Sequence, residues 1–367
     1  MPNVRSNKAT KTPVVVEDPL IRLERARFLS KLAVLKPAIA SGGVIIELRH
    51  IWFDKGYAMA YDGGLGIRIP LDVGGITCGV PGATLLGLLG TSPLKEVELD
   101  LPDKKSLSVS FGSSHSKVAV LASDSNVWPF PAKEPSEDQL QVTEIFIEAL
   151  RKALLVKAAI ITRIENRGII VEPNKRKFEL YATDSASLVQ VLVEEKNASF
   201  SERVLLPREF CQQLVECCPK GAALSIRKDY FAATTGEISI YSNVLDASGI
   251  ADLRALANKH LKPQPESVAL PVGLEGALSR AEILAGAEAA IVTISIKKNA
   301  MVLKGKYPYG VLDETLVLEG EHPDAEIKID SPLLRRVLAQ VDQFSISTEA
   351  LALYGDGGVV YLISGHQ

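Results

Sequence analysis

Three segments of the chain begin in the same way, with a proline followed by an amphipathic stretch. The prolines are Pro81, Pro207 and Pro332, which lie 126 and 125 residues apart. Proline is well tolerated in the first turn of a helix, because its missing N–H would have no partner there. A repeat of this length is a whole domain, since solenoid units repeat every ~20–50 residues. The spacing therefore predicts one type of domain present three times.

Each third also contains an earlier stretch in which apolar residues recur at helical spacing. These stretches predict helices over 23–37, 143–160 and 273–286, and Thr143 is placed to cap the second helix. Each predicted domain therefore contains two helices, one before the proline and one that begins at it.

After the predicted helices, apolar residues alternate with polar ones, which is typical of half-buried strands. The first third has six such stretches, at 45–48, 58–61, 66–69, 97–99, 107–111 and 118–121. In the last third, separate strands are predicted at 291–294, 301–303, 315–317 and 327–329, among others. The pattern predicts an α+β fold of three repeated domains, each with two helices packed on antiparallel sheets.

Two polar stretches with prolines, 123–138 and 258–266, predict linkers between the domains. The predicted domains are residues 22–128, 139–257 and 267–367. Residues 1–21 are basic and polar and predict a disordered N-terminal extension. Because no apolar run approaches the ~20 residues of a membrane span, we expect no contact with a membrane.

The residue types argue against an enzyme and against a metal site. The five histidines have no partner at ligand spacing, and the chain lacks a glycine-rich phosphate loop. The four cysteines, Cys78, Cys211, Cys217 and Cys218, lack the pairing of a zinc site and predict buried thiols in a reducing compartment. We therefore expect a cytoplasmic protein without a metal or a cofactor.

Basic residues are concentrated in the predicted helices. Residues 22–37 carry five of them against one acid, Glu24, and the six predicted helices together carry a net charge of +5. Because the chain as a whole has a net charge of −3, the remainder carries −8. A basic surface attracts DNA phosphates without reading the base sequence. The candidate DNA-binding residues are Arg22, Arg25, Arg27, Lys31, Arg151, Lys152, Lys157, Arg208, Arg280, Arg335 and Arg336. The alternative is that these side chains only solvate the outer faces of amphipathic helices.

Three short stretches of the sequence are informative when they are taken in their order along the chain. Leu-Tyr-Ala-Thr-Asp spans 180–184, Val-Leu-Leu-Pro-Arg spans 204–208, and Ala-Leu-Ser-Arg-Ala-Glu-Ile-Leu spans 277–284. Together with the tripled domain, these strings resemble the bacterial-type DNA sliding clamp, the beta subunit of the DNA polymerase III holoenzyme. The resemblance covers about residues 22–364.

The resemblance implies a DNA-clamp fold and a head-to-tail homodimer that closes a pseudo-sixfold ring around double-stranded DNA. The helices would line the hole, and the ring would act as a non-enzymatic processivity factor that tethers the replicative DNA polymerase. An ATP-dependent clamp loader would open the ring. The family also implies that the strand near 107–111 meets the strand near 301–304 where the ring closes.

The same resemblance implies a cleft for partner peptides between the second and third domains. The matching positions are Thr183, Ser185, Ala186, Ser187, Leu188, Ala251, Ala255, Leu256, Tyr361, Leu362, Ile363 and Ser364. The family usually has Gly-His-Arg-Leu where this chain has Ser185-Ala186-Ser187-Leu188, and its C-terminus also differs. Either the cleft accepts a different peptide, as in a divergent phage-type clamp, or the chain end has drifted. A second hypothesis is a clamp-fold decoy, which binds replication partners without holding DNA.

Overall fold

The computed structural model describes residues 20–131, 139–157, 163–174, 177–194, 202–261, 267–347 and 349–365. Almost all of the predicted N-terminal extension, part of each predicted linker and residues 158–160 of a predicted helix lie outside the described residues. The chain divides into two compact units, Met1–Pro129 and Phe130–Gln367, called unit 1 and unit 2 below. The finer division into three domains stays a prediction.

Unit 1 contains two helices and nine strands among its described residues. The helices are α1 (Arg25–Ala33) and α2 (Gly82–Thr91). The strands are β1 (Ile21–Glu24), β2 (His50–Asp54), β3 (Tyr57–Tyr61), β4 (Leu65–Pro70), β5 (Cys78–Pro81), β6 (Glu96–Asp100), β7 (Ser106–Phe111), β8 (Ser114–Ala119) and β9 (Leu121–Ala122). Two antiparallel sheets result, in the orders β1-β6-β7-β8 and β4-β3-β2-β5-β9. Helices α1 and α2 pack on each other and bury Phe28, Leu32, Leu85 and Leu89.

The predicted strand at 45–48 is wrong. A short 3-10 helix spans Ile46–Arg49, and the strand of this region, β2, begins at His50. Side chains hold the turn, because His50 Nδ1 lies 2.7 Å from the Ile46 carbonyl and the Trp52 indole donates to the Glu47 carbonyl at 3.3 Å. The apolar residues of this region therefore lie at the surface, where the side chain of Val44 is 97% exposed.

Unit 2 contains five helices and fourteen strands among its described residues. The helices are α3 (Glu144–Ala153), α4 (Arg208–Cys217), α5 (Leu253–Leu261), α6 (Leu274–Ala285) and α7 (Ser331–Val337). The strands are β10 (Gln139–Val142), β11 (Gly168–Asn174), β12 (Lys177–Thr183), β13 (Ser187–Glu194), β14 (Val204–Pro207), β15 (Ala222–Ile226), β16 (Tyr230–Thr235), β17 (Ile238–Asn243), β18 (Val268–Ala269), β19 (Ile291–Tyr307), β20 (Gly310–Asp330), β21 (Gln343–Ile346), β22 (Ala350–Gly355) and β23 (Val359–Ser364).

The proline-started helices are confirmed. Pro81 and Pro207 occupy the N-cap positions of α2 and α4, and Pro332 lies in the first turn of α7. Of the earlier helices, α6 matches its prediction to within one residue at each end, whereas α1 and α3 are shorter than predicted. Helix α1 begins only at Arg25, because the preceding residues pair with β6 as strand β1. Residues 258–261 of the second predicted linker are the end of helix α5.

An eight-stranded antiparallel sheet joins the middle and last thirds of the sequence within unit 2. Its strand order is β14-β11-β12-β13-β23-β22-β21-β18. The join is the pairing of β13 with β23, in which Leu188 lies opposite Leu362 and Ser187 opposite Ile363. Two of the three segments predicted to line a peptide cleft are therefore neighbours in one sheet.

Strands β19 and β20 form one long hairpin, so the prediction of four separate strands in this region is wrong. The two strands have 17 and 21 residues and pair from Ile291 opposite Asp330 to Tyr307 opposite Gly310. The pairing passes through irregularities next to Lys298, which has a φ of 55°. The strands continue because backbone hydrogen bonds also pair polar residues, whereas the alternation of apolar side chains, on which the prediction depended, stops there.

Candidate functional site

A cluster of buried apolar side chains lies where the eight-stranded sheet meets α5 and the residues before it; we call it the junction cluster. Its members are Ile170, Tyr181, Leu188, Leu205, Ile250, Leu253, Ala257, Ala352 and Leu362. Strand side chains alternate between faces, so one face of β11, β12, β13, β14, β22 and β23 supplies the sheet part of the cluster. Next to it, Leu256 of α5 is 43% exposed, and Ala251 and Ala255 are exposed as well.

The turn between β12 and β13 brings the first group of predicted cleft residues together. Asp184 accepts hydrogen bonds from the Ala186 and Ser187 amides at 3.0 and 2.6 Å, and the Thr183 hydroxyl donates to the Ser187 carbonyl at 2.8 Å. The Ser364 amide donates to the Ala186 carbonyl at 2.8 Å, which fastens the C-terminal strand to this turn.

Ser185 occupies the position where the family usually has glycine, and its backbone keeps the left-handed conformation, with a φ of 75°. Such a conformation favours glycine, because a side chain crowds the backbone there. The Asn166 amide donates a hydrogen bond to the Ser185 hydroxyl at 3.0 Å. The turn therefore places a serine, held by Asn166, in a backbone conformation that favours glycine.

The predicted cleft residues on β23 lie on opposite faces of that strand. Leu362 belongs to the junction cluster, whereas Tyr361 points to the other face, and its hydroxyl donates to the Lys152 carbonyl of α3 at 3.1 Å. Burial raises the pKa of Tyr361 well above its ordinary value. By the same alternation, Ile363 lies on the Tyr361 face and the exposed Ser364 on the Leu362 face.

Next to the junction cluster lies a charged network that was not predicted from the sequence. Arg254 of α5 donates to Glu179 of β12 at 2.6 Å and pairs with Glu172 of β11 at 3.2 Å. The Tyr181 hydroxyl also donates to Glu179, at 2.6 Å. Although burial by itself raises the pKa of Glu179, the hydrogen bonds from Tyr181, Asn174 and Arg254 outweigh it and hold the pKa below its ordinary value. The signal in the sequence that could have indicated this network is the pair of acidic residues, Glu172 and Glu179, on neighbouring strands.

Carboxylates neutralise four of the predicted DNA-binding arginines. Arg280 pairs with Glu314 through two hydrogen bonds of 2.6 Å, and Arg335 pairs with Glu282 through bonds of 2.9 and 2.7 Å. The other two pairs are Arg22 with Glu98 and Arg151 with Glu148. These arginines would have to exchange a protein partner for phosphate.

Other predicted DNA-binding residues bind backbone carbonyls or are buried. Arg25 donates to the Leu94 and Leu89 carbonyls at 2.6 and 2.8 Å. The remaining weak contacts are those of Lys152 with the Asp356 carbonyl and of Arg336 with the Leu155 carbonyl, each at 3.4 Å. Burial of Arg208 lowers its pKa, and its Nε and Nη2 atoms have no hydrogen-bond partner among the described residues.

The most accessible cations of the predicted set are on α1 and just after α3. Arg27 and Lys157 are exposed and form no ion pair with any described residue. Arg27 lines a surface pocket of about 280 Å³ together with Arg22 and Lys31. The acidic Glu24 and Asp72 line the same pocket and offset part of its positive charge. The structure therefore reduces the accessible basic surface to fewer residues than the sequence predicts.

Comparison with solved structures identifies the architecture. The DnaN sliding clamp from Bartonella birtlesii bound to griselimycin matches with a TM-score of 0.82 at 17% identity, covering 95% of this chain and 99% of that chain. The beta subunit from Thermotoga maritima matches with a TM-score of 0.80 at 18% identity, again covering 95% and 99%. The chain has the sliding-clamp fold. A third match is the Helicobacter pylori beta clamp bound to a DNA ligase peptide, with a TM-score of 0.78 at 13% identity, covering 95% of this chain and 100% of that chain.

The chain resembles these proteins in structure rather than in sequence. No protein-family model matches the sequence, and a comparison with curated proteins gives no significant match. At these identities, the solved structures establish the sliding-clamp fold, and the predicted fold class is confirmed.

Each unit also has an exposed feature of its own, a sheet edge in unit 1 and an apolar patch in unit 2. In unit 1, β7, which contains residues 107–111, is paired on both sides, and β8 is the outer strand of that sheet among the described residues. In unit 2, the turn of the β19–β20 hairpin packs on the end of α6, where the Tyr309 amide donates to the Leu284 carbonyl at 3.2 Å. Beside this contact, Ile283, Tyr309 and Val311 are 71%, 75% and 67% exposed.

Within the described ranges, no group of three or more His, Cys, Asp or Glu side chains could hold a metal ion. The four cysteines are free, and burial raises the pKa of Cys78 to about 12. No helix in that part of the chain is long and apolar enough to cross a membrane.

Proposed function

We propose that the chain is a DNA sliding clamp, a non-enzymatic and cytoplasmic processivity factor that acts as a homodimeric ring around double-stranded DNA. The observation that carries this proposal is the sliding-clamp fold over 95% of the chain, found in proteins named as DNA polymerase III beta subunits. Three clamp domains are half of a six-domain ring, so two copies would be required to surround a duplex. An ATP-dependent loader would then place the ring on DNA.

The mechanism of the clamp is topological. A closed ring cannot dissociate from a continuous duplex, so its contacts with DNA can be weak and independent of base sequence. Such contacts are phosphate contacts made by lysine and arginine. Arg27 and Lys157 are the best candidates, because they are exposed and free of carboxylate partners among the described residues.

Ring closure would use the outer strand β8 of one subunit and the α6 side of the β19–β20 hairpin of the other. An outer strand has unpaired backbone groups that a second chain can bind. The exposed Ile283, Tyr309 and Val311 supply apolar surface, and the centres of interfaces are apolar and enriched in aromatic residues. Head-to-tail contacts of this kind close into a ring when the rotation permits it.

The junction cluster would receive partner peptides, including those of the replicative polymerase and the loader. Its apolar floor is formed by Leu188, Leu362 and their neighbours, and Leu256 adds exposed apolar surface beside it. The Helicobacter pylori clamp, which shares the fold, is bound to a DNA ligase peptide. Because Ser185-Ala186-Ser187 lacks the histidine and arginine of the family pattern, recognition would depend on apolar side chains and on the backbone of the turn.

Retention on circular DNA tests the proposal. The full chain is loaded by the clamp loader of the same source onto a nicked plasmid with one restriction site, and the complex is isolated by gel filtration. We expect the protein to remain on the circle at a salt concentration that removes ordinary phosphate-binding proteins, and to leave when the circle is cut. A matched plasmid without the restriction site serves as the control. Immediate loss from uncut circles would contradict the proposal.

The ion pairs of Arg280 with Glu314 and of Arg335 with Glu282 favour a second candidate, the clamp-fold decoy. Such a protein would bind the partners' peptides while its neutralised arginines leave DNA unbound. Sedimentation of the full chain separates the two candidates. A stable dimer supports the ring, and a monomer supports the decoy.

A further inference from the structure

Two buried carboxylates lie opposite each other on neighbouring strands beside the junction cluster. Glu172 of β11 and Glu179 of β12 are directly paired in the sheet, and they are only 5% and 7% exposed. Like charges in directly opposite positions destabilise a sheet, and a buried carboxylate is costly unless it is paired. These two strands therefore require positive charge at this point.

Two arginines supply that charge from different parts of the chain. Arg203, next to strand β14 of the same sheet, pairs with Glu172 at 2.6 Å. Arg254 contacts both carboxylates, with Nη2 at 3.2 Å from Glu172 and Nε at 2.6 Å from Glu179. Because Arg254 belongs to α5, it is the arginine of this pair that ties a separate helix to the strands.

Helix α5 needs such an attachment. It has nine residues, and helices shorter than ~12–15 residues are marginal in water without tertiary contacts. On either side of Arg254, Leu253 and Ala257 are buried in the junction cluster, while Ala255 and Leu256 remain exposed. The ion pairs thus fix the helix whose exposed residues adjoin the cluster.

We propose that Arg254 is a positioning residue for partner binding, which holds α5 on the sheet through the Glu172–Glu179 pair and so sets one wall of the peptide site. The partner-binding role rests on the proposed function, whereas the attachment of α5 rests on the geometry alone. Arg254 itself does not touch the partner peptide; it acts through the position of Ala255 and Leu256.

Hydrogen–deuterium exchange of the full chain tests the attachment without any ligand. Arg254→Met and Arg203→Met each remove one guanidinium from the same carboxylate pair, so they form a matched pair. We expect Arg254→Met to speed amide exchange across α5 at least tenfold relative to the wild type, and Arg203→Met to change it less than twofold. Equal effects of the two variants, or no effect of Arg254→Met, would overturn the proposal. Should Arg254→Met fail to fold, Arg254→Lys keeps the charge but not the fork and is expected to speed exchange in α5 to a smaller extent.

Peptide binding tests the positioning role. The probe is the DNA ligase peptide that the Helicobacter pylori clamp binds, labelled with a fluorophore and titrated with each variant. We expect Arg254→Met to weaken binding at least tenfold at unchanged peptide stoichiometry, with Arg203→Met within twofold of the wild type. Equal affinities of all three proteins would overturn the positioning role. If the wild type does not bind the peptide, the proposed partner site fails for this probe and the positioning role fails with it, while the exchange experiment still decides whether Arg254 holds α5.

Discussion

Arg280 on α6 donates two hydrogen bonds to the carboxylate of Glu314 on β20, from Nε to Oε1 and from Nη2 to Oε2, both at 2.6 Å. These hydrogen bonds lower the pKa of Glu314 and raise that of Arg280. A fork-to-fork pair of this kind is one of the stronger and more directional side-chain contacts. The guanidinium that charge counting assigns to DNA phosphate is already occupied by a carboxylate.

Replacement of Arg280 should therefore leave DNA binding almost unchanged, whereas replacement of Arg27 should weaken it. Each phosphate contact contributes about one unit to the slope of log affinity against log salt concentration. We expect Arg27→Ala to reduce the slope by about 1 per subunit and Arg280→Ala to leave it unchanged. Fluorescence anisotropy with a labelled duplex at several low salt concentrations measures both slopes.

Glu314→Gln provides the complementary test. This substitution removes the negative charge that pairs with Arg280. It should therefore increase the affinity for the same duplex and make that affinity depend more steeply on salt concentration. A decrease of the slope in Arg280→Ala that equals the decrease in Arg27→Ala would show that the ion pair with Glu314 opens on DNA.

Ile283→Arg should convert the proposed dimer into monomers. The side chain of Ile283 is 71% exposed next to Tyr309 and Val311, so a charge there would be desolvated on ring closure without a partner. Ile145 of α3 is also an exposed isoleucine on a helix, at 61%, and Ile145→Arg is the matched control. Sedimentation velocity should show a monomer for Ile283→Arg and a dimer for both the wild type and Ile145→Arg. A dimer of unchanged stability in Ile283→Arg would place the subunit interface elsewhere.

The local signals in the sequence predict most of the fold. Proline and alternation patterns are local, so the starts of α2, α4 and α7 and strands such as β3 and β4 could be predicted. The hairpin β19–β20 could not, because its continuity depends on backbone pairing between residues such as Lys304 and Asp313 rather than on apolar alternation. The same reason explains the missed strand β5, whose Cys78 and Gly79 pair with β2 and β9.

The candidate site was predictable only in part, because the sequence indicates where a residue lies along the chain but not which partner faces it. Strand alternation alone separates Tyr361 from Leu362, and a prediction that treats 361–364 as one block misses this. The partner of Arg280 is 34 residues away on the long hairpin, and Arg254 is 75 residues from Glu179. Such ion pairs require the tertiary fold.

Leu362 and Tyr361 should respond differently to substitution. Leu362→Ala removes apolar floor from the junction cluster, so it should weaken binding of the labelled ligase peptide at least tenfold and lower the free energy of unfolding by about 2–5 kcal/mol. Tyr361→Phe removes only the hydroxyl that donates to the Lys152 carbonyl, which should cost about 0.5–1.5 kcal/mol and leave peptide affinity unchanged. Peptide titration and urea unfolding measure both quantities. Loss of peptide binding in Tyr361→Phe would show that this hydroxyl, rather than the Leu362 face alone, contributes to the peptide site.

The network around Glu179 should make unit 2 sensitive to acid. The pKa of Glu179 lies below its ordinary value, because hydrogen bonds from Tyr181, Asn174 and Arg254 outweigh the effect of burial. A carboxyl group with a lowered pKa in the folded state stabilises the fold at pH values above its unfolded pKa. This stabilisation is lost as the pH falls from about 4.5 through the lower folded pKa, since the folded protein must then take up a proton against Arg254. Over that window the free energy of unfolding should fall with pH by at most about 1.4 kcal/mol per unit for this one group.

Glu179→Gln should flatten this part of the pH profile, because the amide cannot take up the proton. The other charged groups at the site, Glu172, Arg203 and Arg254, remain in the variant, so the difference between the two profiles isolates Glu179. Glu209→Gln, which removes an exposed carboxylate outside the network, is the control and should leave the profile parallel to that of the wild type. Urea unfolding followed at several pH values between about 3 and 6 gives the slopes. If Glu179→Gln parallels the wild type through the whole window, Glu179 is not held ionised by Arg254 in the folded protein, because linkage requires a change of slope wherever the proton is taken up.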